Sequence, residues 1–113
     1  MTEAELQAAI VDLAHLLGLR VAHFRAAKTS KGWRTPVQGD ASGFVDLVLV
    51  RPAKGPSILP VGGRVIFAEL KGDRGRISPD QQAWADAIKA AGGEHHFWWP
   101  TAWTTGRIEG VLR

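Results

Sequence analysis

Residues 65–72 have the sequence VIFAELKG, an apolar run that ends in two charged residues at alternate positions, Glu69 and Lys71. The run predicts a short β-strand. Because side chains on a strand alternate between its faces, the two charged side chains point to one side, and Ala68 and Leu70 point to the other. Burying a carboxylate and an ammonium group at the end of an apolar strand is costly unless they have partners. The pair therefore indicates either an ion pair on the exposed face of an edge strand or half of a metal-dependent active site.

The composition is typical of one globular domain. The chain has 113 residues, of which 45% are hydrophobic and 22% are charged, so we expect a single domain over residues 1–113 with one core. No run of about 18 apolar residues occurs, so no membrane span is expected, and the acidic N-terminus argues against a signal peptide. The absence of cysteine excludes disulfides and thiolate zinc sites, which fits a reducing compartment.

Basic residues are concentrated in the middle of the chain. The net charge is only +3 at pH 7, but residues 20–76 contain eleven Lys/Arg against four Asp/Glu, and the remainder contains three against seven. A basic region suits a polyanionic partner, because cations displace the counterions that condense on phosphates. Since basic surfaces also occur without such a partner, charge alone leaves nucleic-acid binding open.

Hydrophobic periodicity and turn residues predict the element order α-β-β-β-α-β, a mixed central sheet flanked by helices. Thr2 is the expected N-cap of the first helix, and Gly18 is its expected end. Ser78, followed by proline at the first helical position and by Gln81 at the third, predicts the start of the second main helix with a capping box. The predicted helices are residues 3–17, 78–92 and a short one at 104–112, and the predicted strands are residues 19–24, 43–50, 64–71 and 94–99.

The second predicted strand carries one acid, Asp46. Residues 43–50 are otherwise apolar on both faces, as in a central strand, and an unpaired buried carboxylate there is expensive. A turn rich in Pro and Gly over residues 52–63 predicts a hairpin with the next strand, which brings Asp46 near Glu69. Two carboxylates on adjacent strands can hold a divalent cation through hard oxygen ligands. A neighbouring lysine, here Lys71, can orient an attacking hydroxide or stabilise charge on a phosphoryl group.

A long polar segment, residues 25–42, lies between the first two predicted strands. Loops of this length are usually functional or disordered. Five basic residues and no acid lie between Arg20 and Gly39, which is typical either of phosphate contacts or of a flexible surface loop. If the segment binds nucleic acid, an aromatic residue within it can stack on a base. The candidate DNA-binding residues, here and in the basic turn before the second main helix, are Arg25, Lys28, Lys31, Trp33, Arg34, Arg74 and Arg76.

Three blocks of sequence closely resemble the VRR-NUC domain (virus-type replication-repair nuclease), a member of the PD-(D/E)XK phosphodiesterase superfamily. They are GFVDLVL at residues 43–49, FAELK at residues 67–71 and ISPDQ at residues 77–81. A lone Glu-X-Lys would be weak evidence, but three blocks in order after a leading helix are specific, and the resemblance extends from Glu3 to about Trp103. It implies a restriction-endonuclease-like core and a stand-alone nuclease of phage or bacterial type, located in the cytoplasm of a bacterial or phage-infected cell.

The resemblance also implies roles for individual residues. Asp46 and Glu69 match the metal-binding acids of the family, which together with the backbone carbonyl of Leu70 would bind Mg²⁺ or Mn²⁺. Lys71 matches the catalytic lysine and would lie beside the attacking water. Gln81 matches a glutamine near the active site of the family, although the capping box explains it as well, and both roles can hold.

Two positions are less clear in the comparison with the family. The glutamate of the leading helix falls on Glu3, with Glu5 as the competing alignment. The proline of the family's motif is replaced by Val45. Valine suits a central strand better than proline does and no ligand is lost, so activity is still expected.

The resemblance implies a DNA nuclease that depends on Mg²⁺ or Mn²⁺. Since one chain supplies one active site and branched DNA offers two strands, we expect a homodimer that acts on structured DNA, with Holliday (four-way) junctions as the leading substrate and a role in DNA repair. A flap or single-strand-specific nuclease is an alternative within the class. A DNA-binding module that does not cleave is another, although the intact Asp46, Glu69 and Lys71 count against it. An ordinary α/β domain would leave the buried Asp46 unexplained.

Overall fold

The computed structural model describes residues 1–24, 27–29, 32–34, 39–55 and 62–113, and for residues 27–29 and 32–34 it describes the backbone alone. The described chain is a mixed α/β structure. Its elements in chain order are α1 (Glu3–Leu16), β1 (Arg20–His23), β2 (Ala27–Thr29), β3 (Gly32–Arg34), β4 (Leu47–Arg51), β5 (Arg64–Leu70), α2 (Pro79–Ala90), β6 (Glu94–Trp98), α3 (Pro100–Thr104) and α4 (Arg107–Leu112).

The central sheet has four strands in the order β1-β4-β5-β6. β4 is antiparallel to both β1 and β5, and β6 is parallel to β5. The predicted hairpin and the predicted central position of the second strand are therefore confirmed. Because the β4–β5 register pairs Leu47 with Ala68, it places Asp46 across from Glu69.

The main core lies on the face of the sheet that is covered by α1, α3 and α4. Ala68 and Leu70 belong to it, so the opposite orientation of Glu69 and Lys71 is confirmed. Complete burial of a Leu or Ile side chain contributes about 1.5–3 kcal/mol. The other fully buried members of this core include Leu6, Ile10, Leu47, Leu49, Ile66, Trp98, Ile108 and Leu112. α2 packs on the opposite face, against β6.

Both predicted helix starts are confirmed. The Thr2 hydroxyl accepts a hydrogen bond from the backbone N–H of Glu5, and the Ser78 hydroxyl accepts one from the N–H of Gln81. Each is half of a complete capping box. The predicted main helices and the first, third and last strands agree with the observed bounds to within two residues, as expected for frayed ends.

The second predicted strand is wrong at its beginning, because β4 starts at Leu47 and not at Gly43. Gly43 has a φ of +78°, and the N–H of Phe44 donates to the carbonyl of Ala41 in a turn. A Cβ atom on Gly43 would lie 2.5 Å from the carbonyl carbon of Asp80. The segment before Asp46 therefore packs on the first turn of α2 and does not join the sheet.

Two further predictions need correction. The segment 25–42 is not a simple loop, because β2 and β3 form an antiparallel pair within it, which gives their backbone groups partners. The single terminal helix predicted over residues 104–112 is two short helices. α3 starts with proline at its first position, and Gly106, with a φ of +77°, separates it from α4. No helix in the described ranges is long and apolar enough to cross a membrane.

Candidate active site

The sequence-predicted site residues meet where β4 begins and β5 ends. Asp46 immediately precedes β4, Glu69 and Leu70 end β5, and Lys71 follows. The first turn of α1 lies beside them, since a Cβ atom on Gly72 would be 3.9 Å from the backbone nitrogen of Glu3. The first turn of α2 lies on the other side, where the side chain of its third residue, Gln81, contacts Glu69 and Lys71. Two helix N-termini, whose dipoles favour negative charge, are thus directed at this region.

The Asp46 and Glu69 carboxylates are held by different elements. Asp46 Oδ2 accepts a hydrogen bond of 2.8 Å from the N–H of Leu70. Glu69 Oε1 accepts one of 2.9 Å from Gln81 Nε2. The Glu69 residue is only 4% exposed, and its Oε2 atom has no hydrogen-bond partner within the described part of the chain. A buried carboxylate oxygen without a partner is costly. The Asp46 carboxyl is close enough to share a hydrogen bond with Glu69 when one of the two is protonated.

The electrostatics favour a cation at this position. Burial raises the pKa of Glu69 to about 8, and the neighbouring charge of Asp46 adds to this effect. Burial also raises the pKa of Asp46, although the hydrogen bond from Leu70 and the charge of Lys71 oppose the change. A half-buried and a buried carboxyl group that raise each other's energy in this way cannot both be ionised cheaply unless a positive charge lies nearby.

The donor set fits Mg²⁺ or Mn²⁺. Both ions prefer hard oxygen ligands and usually retain several waters. Asp46 and Glu69 provide carboxylate oxygens, and the Leu70 carbonyl directly follows Glu69 in the chain. No cluster of three or more His, Asp or Glu residues able to hold a metal ion occurs in the ranges that the structure covers. An ion here would therefore have two protein carboxylates and open positions for water and substrate oxygen.

Gln81 connects Glu69, near the end of β5, to Lys71, which follows the strand. Lys71 is 7% exposed, and its Nζ lies 4.0 Å from Glu69 Oε1. It donates instead to Gln81 Oε1, which also accepts the backbone N–H of Ser78 at 2.9 Å. The other end of the same amide donates to Glu69. The Gln81 side chain thus completes the capping box of α2 and contacts both the acid and the lysine.

Glycine residues that sequence reasoning missed allow close packing around the site. A Cβ atom on Gly75 would lie 2.9 Å from Lys71 Cβ, and the carbonyl of Gly75 accepts a hydrogen bond of 2.9 Å from Trp99 Nε1. The turn therefore covers the lysine stem. The lack of a side chain at Gly43 likewise lets the chain pack closely on the first turn of α2. The only sign of these close contacts in the sequence is that Gly43 lies shortly before Asp46 and Gly75 shortly after Lys71.

The two candidate glutamates of α1 have different surroundings. Glu5 Oε1 accepts the N–H of Thr2 at 3.0 Å, and the hydrogen bonds from Thr2 lower the pKa of Glu5. Partial burial raises the pKa of Glu3, and the charge of Asp46 raises it further while that of Lys71 opposes the change. Glu3 is therefore within electrostatic reach of the site, whereas Glu5 is used in the capping box.

The predicted DNA-binding residues are only partly described. Arg74 and Arg76 are exposed in the turn between Lys71 and α2, so they can reach a phosphate close to the site. Arg25 and Lys31 lie outside the described residues. Lys28, Trp33 and Arg34 lie in β2 and β3, where the backbone alone is described.

The family model of the VRR-NUC domain matches residues 2–97. The chain belongs to the VRR-NUC family. Membership, with the four-stranded mixed sheet and its flanking helices, shows a restriction-endonuclease-like fold. It implies a nuclease whose substrate is DNA, and VRR-NUC nucleases generally depend on divalent metals. No curated protein and no solved structure is detectably similar to the chain. Val45, which replaces the proline of the VRR-NUC motif, is 1% exposed.

Proposed function

We propose that this VRR-NUC domain is a Mg²⁺- or Mn²⁺-dependent endonuclease that cuts structured DNA, with four-way junctions as its leading substrate. The observation that carries the proposal is the pairing of a half-buried Asp46 with a buried Glu69 beside a buried lysine, with one Glu69 oxygen that has no hydrogen-bond partner among the described residues. When bound there, a divalent cation would polarise the phosphoryl group and lower the pKa of water. The oxygens that would hold it belong to Asp46, Glu69 and the carbonyl of Leu70.

Lys71 is placed to act on the reacting phosphate. An ammonium group has three N–H donors, and one of them is taken by Gln81 Oε1. Because Glu69 is 4.0 Å away, the remaining donors can be directed at the attacking water and at a phosphoryl oxygen. Such fixed donors stabilise the charge that develops in the transition state. Gln81 is therefore a positioning residue for both Lys71 and Glu69.

The DNA backbone would be held by positive groups around this centre. Arg74 and Arg76 extend from the adjoining turn, and the N-termini of α1 and α2 supply further favourable potential for phosphates. Since a four-way junction is resolved by two cuts and one chain offers one such centre, we propose a symmetric homodimer, acting in the cytoplasm of a bacterial or phage-infected cell.

A cleavage assay tests the proposal. A four-way junction, a flap and a plain duplex are incubated with the protein in Mg²⁺, Mn²⁺ or EDTA. We expect metal-dependent cutting of the junction, loss of at least about 100-fold in rate for Glu69→Gln, as for removal of a catalytic group, and no change for Glu109→Gln, an exposed carboxylate in α4. Cutting in EDTA, or equal cutting by Glu69→Gln, would contradict the site. A preference for the flap would contradict the choice of substrate.

Light scattering during gel filtration tests the dimer. A homodimer of the 12.2 kDa chain is expected at micromolar concentration. A monomer that still makes paired cuts in the junction would contradict the proposed assembly but not the proposed chemistry.

The role of Gln81 is tested by Gln81→Glu, which retains a side chain able to complete the capping box. The new carboxylate would draw Lys71 into a direct ion pair and repel Glu69. We expect a fall of tenfold or more in the cleavage rate with the helix intact by circular dichroism. An unchanged rate would show that the amide does not position the lysine.

A further inference from the structure

A groove of about 510 Å³ lies beside the candidate active site, between residues 80–87 of α2 and residues 39–42. Its volume is in the usual range of small-molecule sites, about 300–1,000 Å³. One wall is a single face of α2, formed by Asp80, Ala83, Trp84 and Ala87, which recur at helical spacing. No described residue that lines the groove is Lys or Arg.

The lining of the groove suits a planar ring with N–H groups. The Trp84 side chain is fixed, because its Nε1 donates to the carbonyl of Asp40 at 2.9 Å and its ring meets that of Phe44 edge to face at 4.8 Å. Aromatic walls stack with nucleobases of every type. The rim carries the carboxylates of Asp40 and Asp80 and the Ser42 hydroxyl, which donates to Asp80 Oδ2 at 2.6 Å. Carboxylates accept N–H groups and repel phosphate, so the lining favours a base over the backbone.

The groove is rigidly connected to the catalytic residues. Asp80 on its rim precedes Gln81, whose amide contacts Glu69 and Lys71. On the other wall, the Gly43 backbone packs so closely on Asp80 and Gln81 that a Cβ atom would lie 2.5–2.6 Å from them. A ring held in the groove would therefore have a fixed position relative to the reacting phosphate.

We propose that this groove binds an unpaired nucleobase that flanks the scissile phosphate, and that it thereby selects DNA in which the duplex is interrupted. The inference rests on the proposed nuclease function and adds the feature of DNA, an unpaired base, that the nuclease recognises. A base that is stacked and paired in a duplex cannot enter a concave site of this kind, whereas an extruded or single-stranded base can. Since the bases of a four-way junction can all pair, the base beside the cut must be extruded there at the branch point, where stacking is interrupted. Bases that carry an amino group, which can donate to Asp40 or Asp80, are favoured over thymine.

The test fills the groove without changing the active site. Ala87 is exposed on α2, and Ala87→Leu places a larger side chain in the groove, while Ala90→Leu makes the same change at an exposed position outside its lining. Binding to a four-way junction and to plain duplex is measured in EDTA, where no metal-dependent cutting occurs. We expect Ala87→Leu to lose at least tenfold in junction affinity with unchanged duplex affinity, and Ala90→Leu to match the wild type.

A second measurement identifies the base. Single abasic sites are placed at each nucleotide next to the branch point of the junction. One of them should weaken wild-type binding as much as Ala87→Leu does, and the two changes together should cost no more than either alone, as for partners in one contact. Asp80→Asn should reduce the preference for amino-bearing bases over thymine at that nucleotide.

The outcomes separate this inference from the proposed function. If Ala87→Leu and Ala90→Leu bind the junction equally well, or if the effects of Ala87→Leu and the abasic sites add, the groove is not a base site. If the wild type cuts nothing in Mg²⁺ or Mn²⁺ while the binding results hold, the base site stands and the nuclease proposal fails.

Discussion

Replacing Glu69 by glutamine should stabilise the metal-free protein at pH 8 while it abolishes cleavage. Burial and the charge of Asp46 raise the pKa of Glu69 to about 8, from an ordinary value of 4.5. Between these two pH values the folded state keeps a proton that the unfolded state loses. Stability therefore falls as the pH rises from about 4.5 to 8, and it is constant above that range.

The size of the effect follows from the same pKa. At about 1.4 kcal/mol per pH unit, the full difference corresponds to at most about 5 kcal/mol. Water and side-chain rearrangement around the ionised carboxylate recover part of this cost, so we expect a gain of about 2 kcal/mol for Glu69→Gln at pH 8. A glutamine oxygen can still accept the hydrogen bond from Gln81 Nε2, and the new amide N–H group can donate to the neighbouring Asp46 carboxylate.

Urea unfolding followed by tryptophan fluorescence, with EDTA present, measures this difference. Wild type and Glu69→Gln should have similar unfolding free energies at pH 5 and diverge as the pH rises to 8. The comparison cancels the contributions of titrating groups far from the site, while Asp46 and Glu3 respond to the charge of Glu69 and titrate with it. Mg²⁺ or Mn²⁺ should stabilise the wild type at pH 8 and have little effect on the variant. A parallel pH dependence of the two proteins, or a variant that is less stable at pH 8, would refute the reasoning.

Three further substitutions test other parts of the structure. In the same urea experiment, Gly43→Ala should lower the unfolding free energy by about 2 kcal/mol or more, because it adds a backbone clash to the cost of a positive φ. At Gly18 nothing lies within 4 Å of the added Cβ atom, so Gly18→Ala should lose only the free energy that the positive φ costs. Burial lowers the pKa of His95 to about 4, so the unfolding free energy of the wild type should fall by about 1–2 kcal/mol as the pH falls from 6.5 to 4. In acid titrations His95→Gln should lack this loss of stability, whereas His15→Gln, a change at an exposed histidine, should retain it. Arg64→Ala removes a half-buried ion pair with a carboxylate on β6 and should cost about 2 kcal/mol. Its cleavage rate should persist, since Arg64 and Glu69 lie at opposite ends of β5, roughly 17 Å apart; a matching fall in rate would contradict that separation.

The features that the sequence predicts well are those set by short-range patterns. The second capping box is specified within Ser78–Gln81, and the alternation of residues 65–72 puts Ala68 and Leu70 in the core. The position of Asp46 across from Glu69 follows from one hairpin, because antiparallel pairing converts two strand positions into neighbours. These local constraints are sufficient to bring the two carboxylates and the lysine together.

The features that the sequence did not predict depend on contacts between distant segments. Gly43 and Asp80 are far apart in the chain, so nothing in the local pattern of residues 43–50 shows that their first part packs on a helix and leaves the sheet. The same is true of Gly75, whose contact with Lys71 becomes evident only when Trp99 fixes the turn. The β2–β3 pair lies in a polar segment without the alternation that indicates a strand, so the pattern of residues gives no sign of it.

Gln81 explains why a strong helix start and a catalytic motif occur together in this chain. A capping box holds its third residue in one rotamer, with the side-chain oxygen bonded to the backbone of Ser78. That fixed oxygen also accepts Lys71, and the amide nitrogen is left to donate to Glu69. The helix start thus separates the ammonium from the carboxylate by 4.0 Å. At this separation the two groups are at the outer limit of an ion pair. In the proposed reaction, closer contact would neutralise more of the charge that a cation requires from Glu69 and would occupy a donor that a phosphate requires from Lys71.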